Sequence, residues 1–457
     1  MEEYINTLLS QIRCRQAREW VGLEIRGHIE DQTAANISRG MEPEKALAAA
    51  VRDMGDPVET GLSLDRIHRP KLSLQVLIIM IAITCLSLIT HLIIGLSSET
   101  IGGYSSQHYI TRSIVHILLG FAVMLLCYRL DYSFFARHAR TIAIVFYGFL
   151  SLEIFFLAGT VHGAKMFFSI AGLRGSLIQC FFFSVPLYGA LLGRLQSQGW
   201  RGIAKACLWM LLPPFLCYCI PCMSQALLIF FLMALLLTLA VAKGWFAIAK
   251  KRLFLIIFWS VILLLPVLYL VCGVVFQFFA VYQIDRLKNF FTANEYNYIA
   301  NLLRSYMDNA RLFGSSNAMF EDYLPNYNTD YILTFMSSYY GIAAAFLICA
   351  LILFIGAKLL HLSLRQQNHR CGTLIGCGCG LVLVGSAVLN ILENLGLLPL
   401  TQTFLPFFSI GGTGMIISYA LTGIALSVYR YKDVLGPEAF RGTKIKRPAA
   451  SSRTSNL

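Results

Sequence analysis

The chain has 457 residues, 57% of them hydrophobic and only 13% charged, with a formal charge of +13; its mean hydropathy is +0.65. Soluble domains carry roughly a quarter charged residues, so this composition excludes a soluble enzyme and implies an integral membrane protein. The excess of Lys and Arg follows the loop pattern described below, which makes nucleic-acid binding a poor explanation of it.

Residues 1–70 read as a separate cytoplasmic helical module. Ile5, Leu8, Leu9 and Ile12 fall at helical spacing, as do Trp20, Val21, Leu23, Ile25 and Ile29. Gly40 stops the second helix, Pro43 and Glu44 open a third, and Gly55, Asp56 and Pro57 end it. The amphipathic, charged start MEEYINTLLSQIRCRQ is unlike a cleavable leader. No constellation suited to catalysis occurs here, so docking to a cytoplasmic regulator is the expected role.

Ten apolar runs follow, near 73–97, 111–127, 141–159, 176–193, 205–220, 222–241, 253–277, 330–357, 373–392 and 405–428. A membrane span needs about 20 apolar residues, so each is a candidate, the pair separated by Pro221 being the weakest. The runs are continuous rather than alternating, which argues for an all-α polytopic protein and against a β-barrel. Basic residues follow every even-numbered run, among them Arg129, Arg194, Lys250, Arg365 and Arg430. By the positive-inside rule both termini are cytoplasmic. Residues 433–457 form a basic tail rich in Ser, Thr and Pro, for which disorder is expected.

The 13 cysteines form no disulfide framework, and most fall within the apolar runs. Cys371, Cys377 and Cys379 cluster at an inner helix end, but no matching second pair exists to complete a zinc site. Within the runs His91, His116, Glu153 and Glu393 are the costly polar groups. The longest polar excursion ends in LPNYNTDYI, Leu324 to Ile332, where Asp330 stands at the outer membrane entrance. Residue chemistry alone leaves two roles open for it, a cap on the following helix or a general base.

Two resemblances extend this reading. GHIED (27–31), GMEPEKALAAAV (40–51), MGDP (54–57) and DRIHRPK (65–71) resemble the permease-prefix type of domain that precedes bacterial membrane proteins. Residues 71–432 resemble the SEDS family (shape, elongation, division and sporulation; FtsW, RodA and SpoVE). The resembling segments are GTVHGAKMFFSI (159–170), YQIDRLKNFF (282–291), LPNYNTDYI (324–332) and NLGLLPLTQTFLPFFSIGGTG (394–414). The third matches a Leu-Pro-Glu-x-x-Thr-Asp-Phe-Ile pattern, and the fourth is long and specific.

The resemblance implies a large outer loop between helices 7 and 8. It also implies an inverting glycosyltransferase that polymerises lipid II outside the cytoplasmic membrane, alongside a class B penicillin-binding protein. Asp330 takes the position of the proposed catalytic acid. Arg286, in the matched Tyr-x-x-x-Arg element, is the first choice for binding the leaving undecaprenyl pyrophosphate. Lys165, Lys288, Thr329 and Ser409 are further substrate-binding candidates, and Arg174, Arg304 and Arg311 weaker ones. Glu321 and Asp322, close to Asp330, are candidates to hold a divalent cation with it.

Departures from the family pattern are several. Met166-Phe167 replaces Arg-Trp, Ile220-Pro221-Cys222 replaces Gln-Pro-Asp, and Asn326 replaces the Glu of Leu-Pro-Glu. Ser338-Tyr339-Tyr340-Gly341 stands for Glu-Glu-Leu-Gly, and no acid occurs around Gly175, Ser176 and Leu177. These losses keep two rivals in view: a non-catalytic scaffold or sensor, and a transporter of a lipid-linked precursor.

Overall fold

The computed structural model describes residues 1–97, 100–101, 104–157, 159–161, 164–170, 173–220, 222–276, 298–316, 324–366, 369–398 and 403–432. The chain divides into two compact units, Met1–Lys71 with the segment from Arg430, and Leu72–Tyr429.

Among its described residues the first unit has four helices, Glu2–Ser10, Arg15–Ser38, Pro43–Asp53 and Pro57–Ile67. Proline opens the last two, where its missing N–H costs nothing. Asp56 caps the fourth by accepting from the Glu59 amide at 3.1 Å. The apolar faces close on Ile5, Leu8, Ile12, Val21, Ile29 and Ala46, all buried. Asp65, also buried, accepts from the Arg13 amide at 2.8 Å and pairs with Arg69 at 3.3 Å. The Arg13 amide, with both guanidinium groups, holds its carboxyl below the usual range.

The second unit is a helical bundle of a multi-pass membrane protein. Among the described residues, seven helices are long and apolar enough to cross a membrane: Leu74–Ser97, Ser106–Arg129, Ala139–Leu157, Leu177–Leu195, Met223–Ala242, Ile342–Leu364 and Arg370–Asn394. Gly199–Tyr218, Lys251–Val275 and Thr413–Arg430 are three further long helices, lying on the remaining apolar runs. The all-helical expectation needs one refinement. Gly159–Val161, Ala164–Ile170 and Leu173–Ser176 form a small antiparallel sheet, and Thr100–Ile101 pairs with Tyr104–Ser105.

Arg370–Asn394 is the central helix, packed against Ile342–Leu364, Ser184–Leu195 and Met223–Ala242. Small residues permit this. A Cβ on Gly189 would come within 2.6 Å of the Leu374 carbonyl oxygen, and one on Gly378 within 2.8 Å of Pro186 Cα. Backbones can approach that closely only without side chains between them.

The eighth apolar run, expected as one helix from residue 330, is broken. A short helix, Ile332–Tyr339, precedes the long one from Ile342. Between them Gly341 has φ +99°, and a Cβ there would meet the Leu312 carbonyl oxygen at 2.6 Å. The amides of Gly314 and Ser316 donate to the carbonyls of Tyr340 and Ser338, so returning backbone occupies this corner. A continuous helix would forfeit those bonds.

Candidate functional site

The site is built from two loops and one helix end. The first loop, Leu324–Tyr331, turns tightly through Asn326, whose φ is +54°; the Thr329 and Tyr331 amides both donate to its carbonyl. Asn is among the few residues other than Gly that tolerate this conformation. The second loop, Thr403–Gly412, ends where the Thr413–Arg430 helix begins.

The two loops are joined by a clasp whose two hydrogen bonds are both donated by the second loop. Ser409 Oγ donates to the Thr329 carbonyl at 2.7 Å, and the Ile410 amide donates to the Asn328 carbonyl at 3.2 Å. Ser409 Oγ also accepts from the Leu405 amide at 2.7 Å. From behind, Ser87 Oγ donates to the Phe407 carbonyl at 2.8 Å. His91 Nε2 lies 2.7 Å from the Phe408 carbonyl, and its Nδ1 lies 3.0 Å from the Tyr109 hydroxyl. A carbonyl can only accept, so Nε2 carries the hydrogen there.

The end of the Arg370–Asn394 helix completes the arrangement. Asn390 Nδ2 donates to the Asp330 carbonyl at 2.8 Å and to the Thr403 carbonyl at 2.7 Å. Asn394 Nδ2 donates to the Asp330 carbonyl at 3.1 Å. Asn394 Oδ1 accepts from the Thr334 amide at 3.1 Å and its hydroxyl at 2.8 Å. Glu393, fully buried, accepts from the Thr403 hydroxyl at 3.1 Å.

The main chain of Asp330 is therefore fastened while its carboxylate is left available. The short helix beginning at Ile332 has Tyr331 as its N-cap and no side-chain cap hydrogen bond, so the capping role is absent. Asp330 is half-buried, in a turn outside the seven helices above. Burial pushes its pKa up to about 7, and the nearby charge of Glu393 adds to the rise. A carboxyl poised near neutrality is suited to taking a proton.

The sequence signature described as "Cell cycle protein", that of FtsW, RodA and SpoVE, matches residues 72–434. The chain belongs to that family. Among curated relatives, it is 34% identical over 106 residues to "Putative peptidoglycan glycosyltransferase FtsW" of Mesostigma viride, covering 23% of this chain and 25% of that one. It is 25% identical over 371 residues to "Probable peptidoglycan glycosyltransferase FtsW" of Hahella chejuensis, covering 76% and 86% respectively. The chain spans about a quarter to a third of the length of the first curated relatives it matches.

Its fold is similar to one chain of a peptidoglycan synthase complex studied for the structural coordination of polymerization and crosslinking. The TM-score is 0.63 at 18% identity, covering 79% of this chain and 98% of that one. The Thermus thermophilus rod shape determining protein RodA matches with TM-score 0.53 at 19% identity and the same coverage.

Of the residues singled out from sequence, Asp330, Thr329 and Ser409 come together in this SEDS-type site. Thr329 Oγ1 donates back to the Asn326 carbonyl at 3.2 Å, within its own turn. Arg304 is brought to the same helix end, donating to the Gly396 carbonyl at 2.9 Å and satisfying backbone beyond the last helical turn. His116 faces Gly412. Glu153 is buried at a π-turn. Arg286, Lys288, Glu321 and Asp322 lie outside the described residues, as do the side chains of Lys165 and Arg174. Among the described residues, no group of three or more His, Cys, Asp or Glu is placed to hold a metal ion. Asn390, Asn394 and Thr334 were not legible as site residues. The one available signal was two asparagines four apart near Glu393, on one face of an otherwise apolar helix end.

Proposed function

We propose that this protein is a peptidoglycan glycosyltransferase that polymerises lipid II at the outer face of the cytoplasmic membrane, with Asp330 as general base. The observation that carries this reading is a half-buried carboxyl in the family's acidic turn that caps no helix and has a pKa raised to about 7. The names of the curated relatives support the reaction class. Asp330 takes the proton of the acceptor sugar hydroxyl, whose oxygen then attacks the anomeric carbon of the second lipid-linked sugar. Undecaprenyl pyrophosphate leaves from the opposite side, so an α-linked donor gives a β-linked product without a covalent enzyme intermediate. The departing charge needs cations; Arg286 is assigned first, with Lys165 and Lys288 beside it.

A class B penicillin-binding protein as the cross-linking partner fits the fold likeness to a chain of a synthase complex. Both termini are assigned to the cytoplasm, where residues 1–70 would meet a regulator. The reading is tested with purified full-length protein, a class B partner and labelled lipid II. Polymer is expected from the parent, and Asp330→Asn should lower its rate by ~10²–10⁴-fold. Absence of polymer from the parent would overturn the enzymatic reading and favour the scaffold, whose cellular phenotype should survive Asp330→Ala.

A further inference from the structure

The terminal turn of the central helix carries a device that the reaction scheme does not yet use. We propose that Asn390 and Asn394 are positioning residues, a two-amide clamp that fixes the main chain of Asp330 and so aims its carboxylate at the acceptor hydroxyl. This inference rests on the reading of Asp330 as base.

Three amide bonds converge on two carbonyls. The Asp330 carbonyl receives both Asn390 Nδ2 and Asn394 Nδ2, filling both of its lone pairs. Asn390 Nδ2 also reaches the Thr403 carbonyl, tying the acid to the loop that bears Ser409. Asn394 spans the turn, donating at Asp330 and accepting from the amide and hydroxyl of Thr334 four residues later. Asn390 Oδ1 lies 3.3 Å from Asn394 Nδ2, so the two amides orient each other.

Both asparagines and Thr334 are fully buried. Buried amides are costly unless satisfied, and these are satisfied by the acidic turn, the facing loop and, for Asn394 Nδ2, also by the Asn390 carbonyl of its own helix at 2.9 Å. A residue kept merely to end a helix would not need to reach across to another segment. An apolar side chain of equal volume would fill the same space without aiming anything.

Among the groups around Asp330, Glu393 comes from the clamp helix and His91 and Tyr109 from the helices behind the second loop. Within the turn itself Tyr327 and Tyr331 are titratable, and residues 403–412 carry no ionisable side chain. Releasing the clamp lets the carboxylate swing toward solvent and away from Glu393. Both changes favour its charged form, so its pKa should fall.

The test compares the parent, Asp330→Asn, Asn394→Leu and Thr334→Val, each as full-length protein with its transpeptidase partner on labelled lipid II across pH 5.5–8.5. Asn394→Leu is expected to lower kcat by about tenfold with KM unchanged, and to move the acid limb of the pH profile down by about half a unit. A smaller population of folded protein would lower the amplitude but leave that limb in place. Thr334→Val, which removes one anchor of Asn394 while keeping its shape, should lower kcat by about two- to fourfold in the same direction. It decides the question if Asn394→Leu does not fold.

An active parent with an inactive Asp330→Asn, but with the parental limb and kcat in Asn394→Leu and Thr334→Val, would overturn the clamp and leave the base intact. A parent without activity, or an Asp330→Asn variant as active as the parent, would instead remove the base and the clamp with it.

Discussion

Asp330 is raised by two causes acting in the same direction, and this fixes the sign of its pH dependence. Burial disfavours its charged form first, and Glu393 adds repulsion. The base form therefore fills as pH rises through about 7, and the polymerisation rate should climb roughly tenfold between pH 6 and pH 8. Glu393→Gln keeps an acceptor for Thr403 but removes a charge, so it should move that limb to lower pH in the same assay. Stability runs the other way. A carboxyl whose folded pKa lies above its unfolded one contributes stability below about pH 4, lost as pH rises through 7. Asp330→Asn should accordingly raise the thermal midpoint at pH 8 more than at pH 5.

At the scale of elements, the broken eighth helix is the feature on which the acid depends. The corner at Gly341 turns the chain so that Ile332–Tyr339 can lean its first turn on Asn394. Gly341→Ala would place a methyl group 2.6 Å from the Leu312 carbonyl oxygen, in a conformation that L-residues avoid. It should cost ~1–3 kcal/mol, read as a lowered thermal midpoint in detergent.

The apolar run announced a helix here but not its interruption, because hydropathy is blind to φ. Ser338-Tyr339-Tyr340-Gly341, read only as a departure from the family pattern, was the local sign. The motifs at 324–332 and 394–414 were legible through their resemblance to the family's patterns. Their meeting was not, since nothing within either segment encodes a bond between Ser409 and Thr329. The strands at 159–176 were equally hidden among glycines within a loop that carries its own aromatic residues.

For the whole molecule, hydropathy and the basic loops define an arrangement that can be tested without any substrate. A cysteine placed at Asn326, exposed in the acidic turn, should be labelled by a membrane-impermeant maleimide added outside intact cells. One at the exposed Gln198, between Leu195 and Gly199, should react only after the membrane is opened. Labelling above the background of the native cysteines at both sites in intact cells would contradict the orientation. The N-terminal unit has its own buried core and an internal ion-pair centre at Asp65.

The clasp between Ser409 and Thr329 joins residues 80 positions apart, and the later partner lies close to the end of the membrane-embedded chain. During synthesis the acidic turn leaves the ribosome well before its lock exists. A nascent chain stalled or truncated before residue 390 would carry Asp330 without either the asparagine bonds to its carbonyl or the clasp. The candidate site is thereby completed only once almost all of the chain has been made and inserted.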